Sequence, residues 1–317
     1  MNVINQSSGK NWTLYNGDCV EVAKGLPSEC VGLSVFSPPF SSLYTYSNSE
    51  RDMGNCKGDR EFFKHFGYLV EQITRITKPG RLCAIHCMDL PQSKQMHGEI
   101  GLRDFPGNII RAFEYSKWVY HSKVTIWKDP VTAMQRTKAL GLLHKQIKKD
   151  SCMSRQGIPD YLVVMRKPGI NASPVTHTAE TFPVEQWQRW ASPVWASMHG
   201  TDVEGFGICV NPAVDVPDKC GVDAGDTLQR DGAREQNDER HICPLQLPVI
   251  ERSVGLWSNP GDVVFSPFAG IGSEGYQSLL MGRKFIGIEL KASYYRMAAQ
   301  NLANAECAST VPQLIPV

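Results

Sequence analysis

The sequence predicts an α/β protein with a doubly wound, mostly parallel sheet and a further region inserted into it. Short apolar runs typical of buried strands alternate along the chain with segments whose apolar residues recur at helical spacing. One such run, Val31–Phe36, is almost apolar throughout, which is typical of a strand covered on both faces. Alternation of this kind favours parallel strands joined by crossover helices.

The sequence predicts six strands and five helices, and it predicts where one helix gives way to a strand. Lys78-Pro79-Gly80 is expected to end a helix and to separate it from the next strand, because proline and glycine disfavour helix continuation. Strands are predicted at Trp12–Tyr15, Val31–Phe36, Arg81–Cys87, Tyr161–Met165, Val263–Phe265 and Phe285–Glu289. Helices are predicted at Val20–Leu26, Glu61–Ile76, about Arg136–Asp150, Glu274–Met281 and Ala292–Ala305.

Length and composition limit the class of protein. The chain has 317 residues, of which 42% are hydrophobic, so it can bury a large core in about two domains or in one elaborated domain. No apolar run is long enough to span a bilayer and the first ten residues are polar, so we expect a cytoplasmic protein without membrane contact. The ten cysteines form no zinc-finger pattern, and Cys83, His86 and Cys87 belong to a predicted strand, so no metal is expected.

The middle of the chain combines a basic helix with loop-like segments. A net charge of +1 gives no global attraction to nucleic acid, so DNA contact would need a local patch. The helix supplies such a patch, although a solvated helix face would show the same pattern. Residues 168–183 and 201–240 resemble linkers or loops, and Trp187, Trp190 and Trp195 between them favour a small core over base stacking. The candidate phosphate contacts are Arg136, Lys138, Lys145, Lys148, Lys149 and Arg155.

Two short motifs lie at the ends of predicted strands. Ser37-Pro38-Pro39-Phe40 follows Val31–Phe36, and its prolines place it in the loop at the carboxyl end of that strand, where open α/β sheets bind ligands. A glycine-rich turn, residues 266–273, connects another strand to a helix, and Glu289 ends the following strand. Glycines allow a ligand to approach the backbone, and a terminal acid can bind ribose hydroxyls. The third glycine of dinucleotide sites is missing.

With these motifs in this order, the chain resembles the beta group of DNA amino-methyltransferases, in which the catalytic motif precedes the target-recognition segment and the cofactor motif comes last. Further matching stretches are Asn16–Cys19, Lys78–Gly80, Trp127-Lys128 and residues 241–248. The resemblance implies a seven-stranded methyltransferase sheet, S-adenosylmethionine as methyl donor and double-stranded DNA as partner. It also implies a catalytic half at 11–126, a target-recognition and loop region at 127–240, and a cofactor-binding half at 241–305. A homodimer is compatible with the family, but no interface is evident.

The resemblance assigns a role to each motif. Ser37, Pro38, Pro39 and Phe40 are implied to be the catalytic motif that holds the base amine. Asp18 and the segment from His241 to Gln246 would approach the cofactor, while Glu289 would hold its ribose. The full set implied to bind the cofactor is Asp18, His241, Gln246, Ser266, Phe268, Ala269, Gly270, Gly272 and Glu289.

The sequence departs from the family pattern in two places. Ser266 stands where the family usually has aspartate, so a polar contact to the methionine end of the cofactor is expected to be weakened or replaced. Ser37 stands where many adenine-modifying members have aspartate or asparagine. Because serine at this position accompanies cytosine N4 methylation in most members, the resemblance favours cytosine and leaves adenine N6 open. Tyr44 and Tyr46, just beyond the motif, could line the base pocket.

The chemistry of the catalytic motif suits an exocyclic amine. The lone pair of such an amine is delocalised into the base, so it attacks a sulfonium methyl poorly unless acceptors draw on its hydrogens. With the base flipped out, the Ser37 hydroxyl and the Pro38 carbonyl could accept both N–H bonds while Phe40 stacks on the ring. Two other classes stay open: a non-catalytic DNA-binding protein with this fold, and a methyltransferase acting on RNA or on a protein amide. The late cofactor motif disfavours the latter.

Overall fold

The chain forms a layered α/β structure. A computed structural model describes residues 3–41, 52–92, 94–128, 144–195, 226–229 and 244–310. The strands are β1 (Asn5–Ser8), β2 (Trp12–Asn16), β3 (Val31–Phe36), β4 (Thr77–Met88), β5 (Leu90–Gln92), β6 (Gly101–Arg103), β7 (Val119–Ile126), β8 (Asp160–Arg166), β9 (Val194–Trp195), β10 (Val263–Ser266) and β11 (Lys284–Glu289). The helices are α1 (Cys19–Lys24), α2 (Asp59–Ile76), α3 (Lys94–His97), α4 (Phe105–Tyr115), α5 (His144–Lys149), α6 (Val184–Trp190), α7 (Leu247–Trp257), α8 (Ser273–Leu280) and α9 (Ala292–Thr310).

The main sheet confirms the predicted doubly wound, mostly parallel architecture. Within the described residues, its nine strands run in the order β1-β2-β11-β10-β3-β4-β8-β7-β9. The five strands from β2 to β4 in this order are all parallel, whereas β8 is antiparallel to both β4 and β7. The seven inner strands match the expected sheet, and β1 and β9 extend it at the two edges. A separate hairpin pairs β5 with β6.

The chain order reverses between β10 and β3. From β10 the chain continues through α8 to β11 on one side, whereas β3 continues through α2 to β4 on the other. These two strands pair directly in parallel, with Val264 opposite Leu33. Loops that leave the carboxyl ends of such a pair diverge and open a crevice between them. The crevice therefore lies between the loop after Phe36 and the loop after Ser266.

Helices cover both faces of the sheet because the central strands are apolar on both. All six residues of β3 are buried. On one face the amphipathic helix α2 packs its buried side, which includes Phe62, Phe66 and Ile73, with Phe36 and Phe265. On the other face Leu33 and Val264 join the side chains of α7, α8 and α9 in a second cluster. Because each Å² of buried apolar surface contributes about 25 cal/mol, these two apolar clusters dominate the stability of the sheet.

The strand β4 begins earlier than predicted. We expected residues 78–80 to separate helix from strand, but Thr77 already pairs with Val31, and an irregularity in register follows before Leu82 pairs with Leu33. The buried Arg81 stabilises this region, because its guanidinium donates to Gly32 O at 2.8 Å and pairs with Asp262. The helix therefore ends at Ile76 as predicted, but pairing with β3 starts the next strand at once, without the expected gap.

The tryptophan segment is only partly a core. Trp195 is buried and belongs to β9, which pairs with β7, and the Arg252 guanidinium lies 5.1 Å from its ring centroid. Trp187, on α6, is 53% exposed, so the expectation of a common core was wrong for this residue. Among the described residues, no helix is long and apolar enough to cross a membrane.

Candidate active site

The two motifs at the ends of β3 and β10 lie next to each other. The ring centroids of Phe36, the last residue of β3, and Phe268, in the loop after β10, are 5.9 Å apart. Although Phe36 and Phe268 are far apart in the sequence, they meet because β3 and β10 pair directly in the sheet. The structure therefore brings the Ser37–Phe40 loop and the glycine-rich loop to one crevice.

Phe40 is held in place by aromatic neighbours. Its ring packs edge-on against Phe105 of α4, with centroids 6.1 Å apart, and lies 6.3 Å from the His86 ring. Phe40 and Ser37 are both partly exposed, while Pro38 between them is buried. Ser37 and Phe40 therefore keep part of their surface exposed, and the two prolines restrict the backbone between them.

Ser37 begins a chain of polar contacts. Its Oγ lies 3.1 Å from His86 Nδ1, and His86 Nε2 lies 3.0 Å from Asp160 Oδ2. Lys128 Nζ is 2.5 Å from the same Asp160 oxygen. His86 is near the carboxyl end of β4, Asp160 starts β8, and Lys128 follows β7. Three adjacent strands therefore place this network directly behind the serine.

The charge of Asp160 is compensated although the residue is 1% exposed. Burial by itself raises the pKa of Asp160, but the interactions with His86 and Lys128 outweigh it and leave that pKa below its usual value. The carboxylate is therefore ionised at neutral pH and acts as an acceptor. The sequence interpretation missed His86, Asp160 and Lys128 as functional residues; polar side chains at the ends of neighbouring apolar strands were the available signal.

The glycine-rich loop adopts backbone conformations that suit its composition. Gly270 has a φ of 52° and Gly272 a φ of 89°, both in the left-handed region that other residues rarely adopt. Glu289 secures the loop from the adjacent strand, because one carboxylate oxygen accepts the Gly270 N–H at 2.8 Å and the other accepts the Lys291 N–H at 2.8 Å. The loop and the acid at the end of β11 are thus one unit.

Two acids near this loop have raised pKa values. Burial raises the pKa of Glu289 to about 7, with a further contribution from the Asp52 carboxylate and opposition from its backbone hydrogen bonds. Burial also raises the pKa of Glu274, in the first turn of α8, to about 8, and the nearby charge of Glu289 adds to the effect. Negative charge is therefore costly where these two carboxyls are buried.

The residues around the loop fit S-adenosylmethionine. The buried side-chain oxygens of Ser266 and Ser273 and the Oε1 atom of Gln246 have no hydrogen-bond partner among the described residues. Unsatisfied buried polar atoms around a glycine turn are typical of a ligand site. Asp18 caps α1 by accepting from Val20 N at 3.0 Å, one residue after Gly17 donates to the Glu289 carbonyl. His241 lies outside the described residues.

The candidate DNA contacts fall into three groups. Lys145, Lys148 and Lys149 are exposed on the short helix α5. Arg155 is partly buried and burial lowers its pKa, so it is less open to solvent than expected. Arg136 and Lys138 lie outside the described residues, as do Tyr44 and Tyr46.

The cysteines of β4 are structural. Cys83 and Cys87 are fully buried on the face of the strand opposite His86, and burial raises the pKa of both thiols well above the usual value. Across the described ranges, no group of three or more histidine, cysteine, aspartate or glutamate side chains is arranged to hold a metal ion.

Comparison with known proteins agrees with this geometry. A family model described as DNA methylase matches residues 31–300. The chain is similar to the type II methyltransferase M.BglII of Bacillus subtilis, with 22% identity over 293 residues, 92% of this chain and 68% of that protein.

Solved structures share the fold. TTHA0409 from Thermus thermophilus, complexed with S-adenosyl-L-methionine, has a TM-score of 0.61 at 20% identity and covers 93% of this chain and 96% of its own. PvuII DNA methyltransferase (cytosine-N4-specific) has a TM-score of 0.61 at 11% identity, covering 97% and 96%. Because the family model spans most of the chain, the protein belongs to the DNA methylases that act on base amino groups, at N6 or N4, with S-adenosylmethionine as cofactor.

Proposed function

We propose that the protein methylates the N4 amino group of cytosine at a specific site in double-stranded DNA after flipping the base out of the helix. The observation that carries this proposal is the contact between Phe36 and Phe268, since it joins the Ser37–Phe40 loop to the glycine-rich loop in one crevice. A methyl donor on one loop and an amine on the other would meet at short range.

The cofactor residues would act by binding and orientation. S-adenosylmethionine supplies an electrophilic methyl group on a sulfonium when it is bound. Glu289 would accept hydrogen bonds from ribose hydroxyls, and the left-handed backbone at Gly270 and Gly272 would let the cofactor approach the loop closely. Ser266 and Ser273 would donate to its polar end, which replaces the aspartate contact expected at position 266.

The base would be held by the other loop. The Ser37 hydroxyl oxygen and the Pro38 carbonyl would accept the two amine N–H bonds, which favours a pyramidal nitrogen whose lone pair faces the methyl group. Phe40, which Phe105 supports edge-on, would stack on the base. Positioned acceptors and a fixed ring require little reorganisation in the transition state.

Ser37 favours cytosine as the target base. A serine hydroxyl accepts from either amine, so the argument rests on the association of serine with cytosine N4 methylation in this family. The similarity to PvuII DNA methyltransferase, which is cytosine-N4-specific, points in the same direction. Adenine N6 methylation by the same residues is the alternative.

DNA would be bound by the region from about residue 127 to 240. The exposed lysines of α5, Lys145, Lys148 and Lys149, would contact phosphates and supply affinity that does not depend on sequence. We further propose that the protein acts in the cytoplasm.

The test is incubation of the purified protein with labelled S-adenosylmethionine and unmethylated DNA, followed by digestion to nucleosides and mass analysis. We expect N4-methylcytosine, and we expect Phe40→Ala to reduce its formation at least about 100-fold. Tyr115→Ala is a matched control, because Tyr115 is 88% exposed on α4. N6-methyladenine would refute the choice of base, and cofactor binding without any methylated nucleoside would refute the activity.

A further inference from the structure

In the network of Ser37, His86, Asp160 and Lys128, each hydrogen bond has a defined donor and acceptor. We propose that His86, held by Asp160 and Lys128, accepts through Ser37 the proton that the target amine releases on methylation. This inference rests on the proposed function. His86 would act through Ser37, so it is a positioning residue and proton acceptor that does not touch the base.

The direction follows from donors and acceptors. The Asp160 carboxylate has only acceptor atoms, so His86 Nε2, 3.0 Å away, must carry a hydrogen and donate it. In the neutral imidazole the other nitrogen, Nδ1, is then an acceptor, and the Ser37 hydroxyl, 3.1 Å away, donates to it. Both lone pairs of Ser37 Oγ are left for the amine.

Lys128 fixes the charge of this network. Its ammonium lies 2.5 Å from the Asp160 oxygen that accepts from His86, and Asp160 is almost fully buried. A buried carboxylate that is paired in this way stays ionised, so it can stabilise a positive charge arriving on the imidazole. His86 itself is 8% exposed, which limits exchange of its protons with water.

The proton balance of the reaction requires an acceptor. The target nitrogen forms its bond to the methyl carbon while the carbon–sulfur bond breaks and its electron pair stays on sulfur. The nitrogen is then positively charged, and it loses a proton to Ser37 Oγ while the Ser37 hydroxyl proton moves to His86 Nδ1. The N–H electron pair returns to the nitrogen, and the imidazolium is stabilised by Asp160. Solvent removes its extra proton after product release.

A structural role of the network makes a different prediction. If the contacts only join β4 to β8, Asp160→Asn should preserve function, because the amide can still bond to His86. In the proposed relay, however, the amide oxygen introduced by Asp160→Asn would lie beside the Lys128 ammonium and still accept from Nε2, but it carries no negative charge to stabilise the imidazolium. The tautomer of His86 would be retained, and methyl transfer would slow nevertheless.

The experiment combines a tautomer measurement with single-turnover kinetics. Nitrogen-15 NMR of histidine-labelled protein without cofactor or DNA should show His86 protonated on Nε2 both in the wild type and in Asp160→Asn. His86→Asn and Asp160→Asn should each slow methyl transfer by about 10² to 10⁴, with DNA and cofactor affinities unchanged. Asp160→Glu should recover part of the rate, and His65→Asn, at an exposed position of α2, is the control.

A double-mutant cycle identifies the route through Ser37. Because His86 would act only through this hydroxyl, His86→Asn should have little further effect in a Ser37→Ala background. Additive rate losses from His86→Asn and Ser37→Ala would overturn the proposal. It would also be overturned if the wild type were active and His86→Asn transferred methyl within about twofold of its rate, or if His86 in the wild type were protonated on Nδ1. A wild type that transfers no methyl group to DNA would instead refute the proposed function, and this inference with it.

Discussion

Replacing Glu289 with glutamine is expected to weaken S-adenosylmethionine binding and to remove most of its pH dependence. In the proposed site the ionised carboxylate accepts the ribose hydroxyls while holding the Gly270 N–H at 2.8 Å. Burial raises the pKa of Glu289 to about 7, so near neutral pH a change of one unit alters its ionised fraction substantially.

The size of the effect follows from that pKa. About one tenth of the Glu289 carboxyls are ionised at about pH 6 and about nine tenths at about pH 8, so the affinity should rise about tenfold, or ~1.4 kcal/mol, over this range. Glutamine stays neutral and accepts with one oxygen only. Glu289→Gln should therefore bind S-adenosylmethionine more weakly than the wild type by about 1.5 to 3 kcal/mol at about pH 8, which is the usual strength of hydrogen bonds to a charged group. The difference should be smaller at about pH 6.

Isothermal titration calorimetry of cofactor binding is the assay, performed at both pH values in buffers of different ionisation enthalpy. Proton release should accompany binding to the wild type at about pH 6 and should disappear in Glu289→Gln. Glu114→Gln, an exposed carboxyl at the end of α4, should bind as the wild type does. The reasoning would be refuted if the wild type bound S-adenosylmethionine equally well at both pH values, or if Glu289→Gln bound it as tightly as the wild type.

Three further changes test the surrounding structure. Gly272→Ala should destabilise the protein more than Gly261→Ala in chemical unfolding. Both glycines have positive φ, but a Cβ at position 272 would lie 3.2 Å from the α9 backbone, whereas a Cβ at position 261 would meet no atom within 4 Å. Glu274→Gln should gain stability relative to the wild type by up to about 1.4 kcal/mol per pH unit between about pH 4.5 and 8, because the native carboxyl, with a pKa of about 8, keeps a proton that the unfolded chain releases; equal urea midpoint differences at all pH values would contradict this. Lys148→Ala should weaken binding to all DNA sequences and reduce its salt dependence by about one ion in a fluorescence titration, whereas Lys64→Ala on α2 should not.

Local signals predicted much of the fold. The strand Val31–Phe36 was predicted with its observed bounds, because an apolar run followed by two prolines is specified within a few residues. The helix from residue 59 to Ile76 extends only slightly beyond its prediction, since its apolar period is regular. Elements without such signals, such as the short edge strands β1 and β9, were not predicted, because they depend on a partner strand for their hydrogen bonds.

Where tertiary contacts compete with local preference, the sequence interpretation failed. Thr77 pairs with Val31 although a proline and a glycine follow it, and the buried Arg81 offsets the irregularity by bonding to Gly32 and Asp262. Similarly, Trp187 and Trp195 are close in sequence but differ in burial, because only Trp195 belongs to a strand of the main sheet.

The sequence by itself determined the class of sheet and the two motifs, since each depends on residues that are close together in the chain. Only the tertiary structure decided that Phe36 and Phe268 meet, because that contact follows from the pairing of β3 with β10. The same holds for Ser37, His86, Asp160 and Lys128. Their hydrogen bonds depend on the order and register of separate strands, and spacing along the chain carries no record of that register.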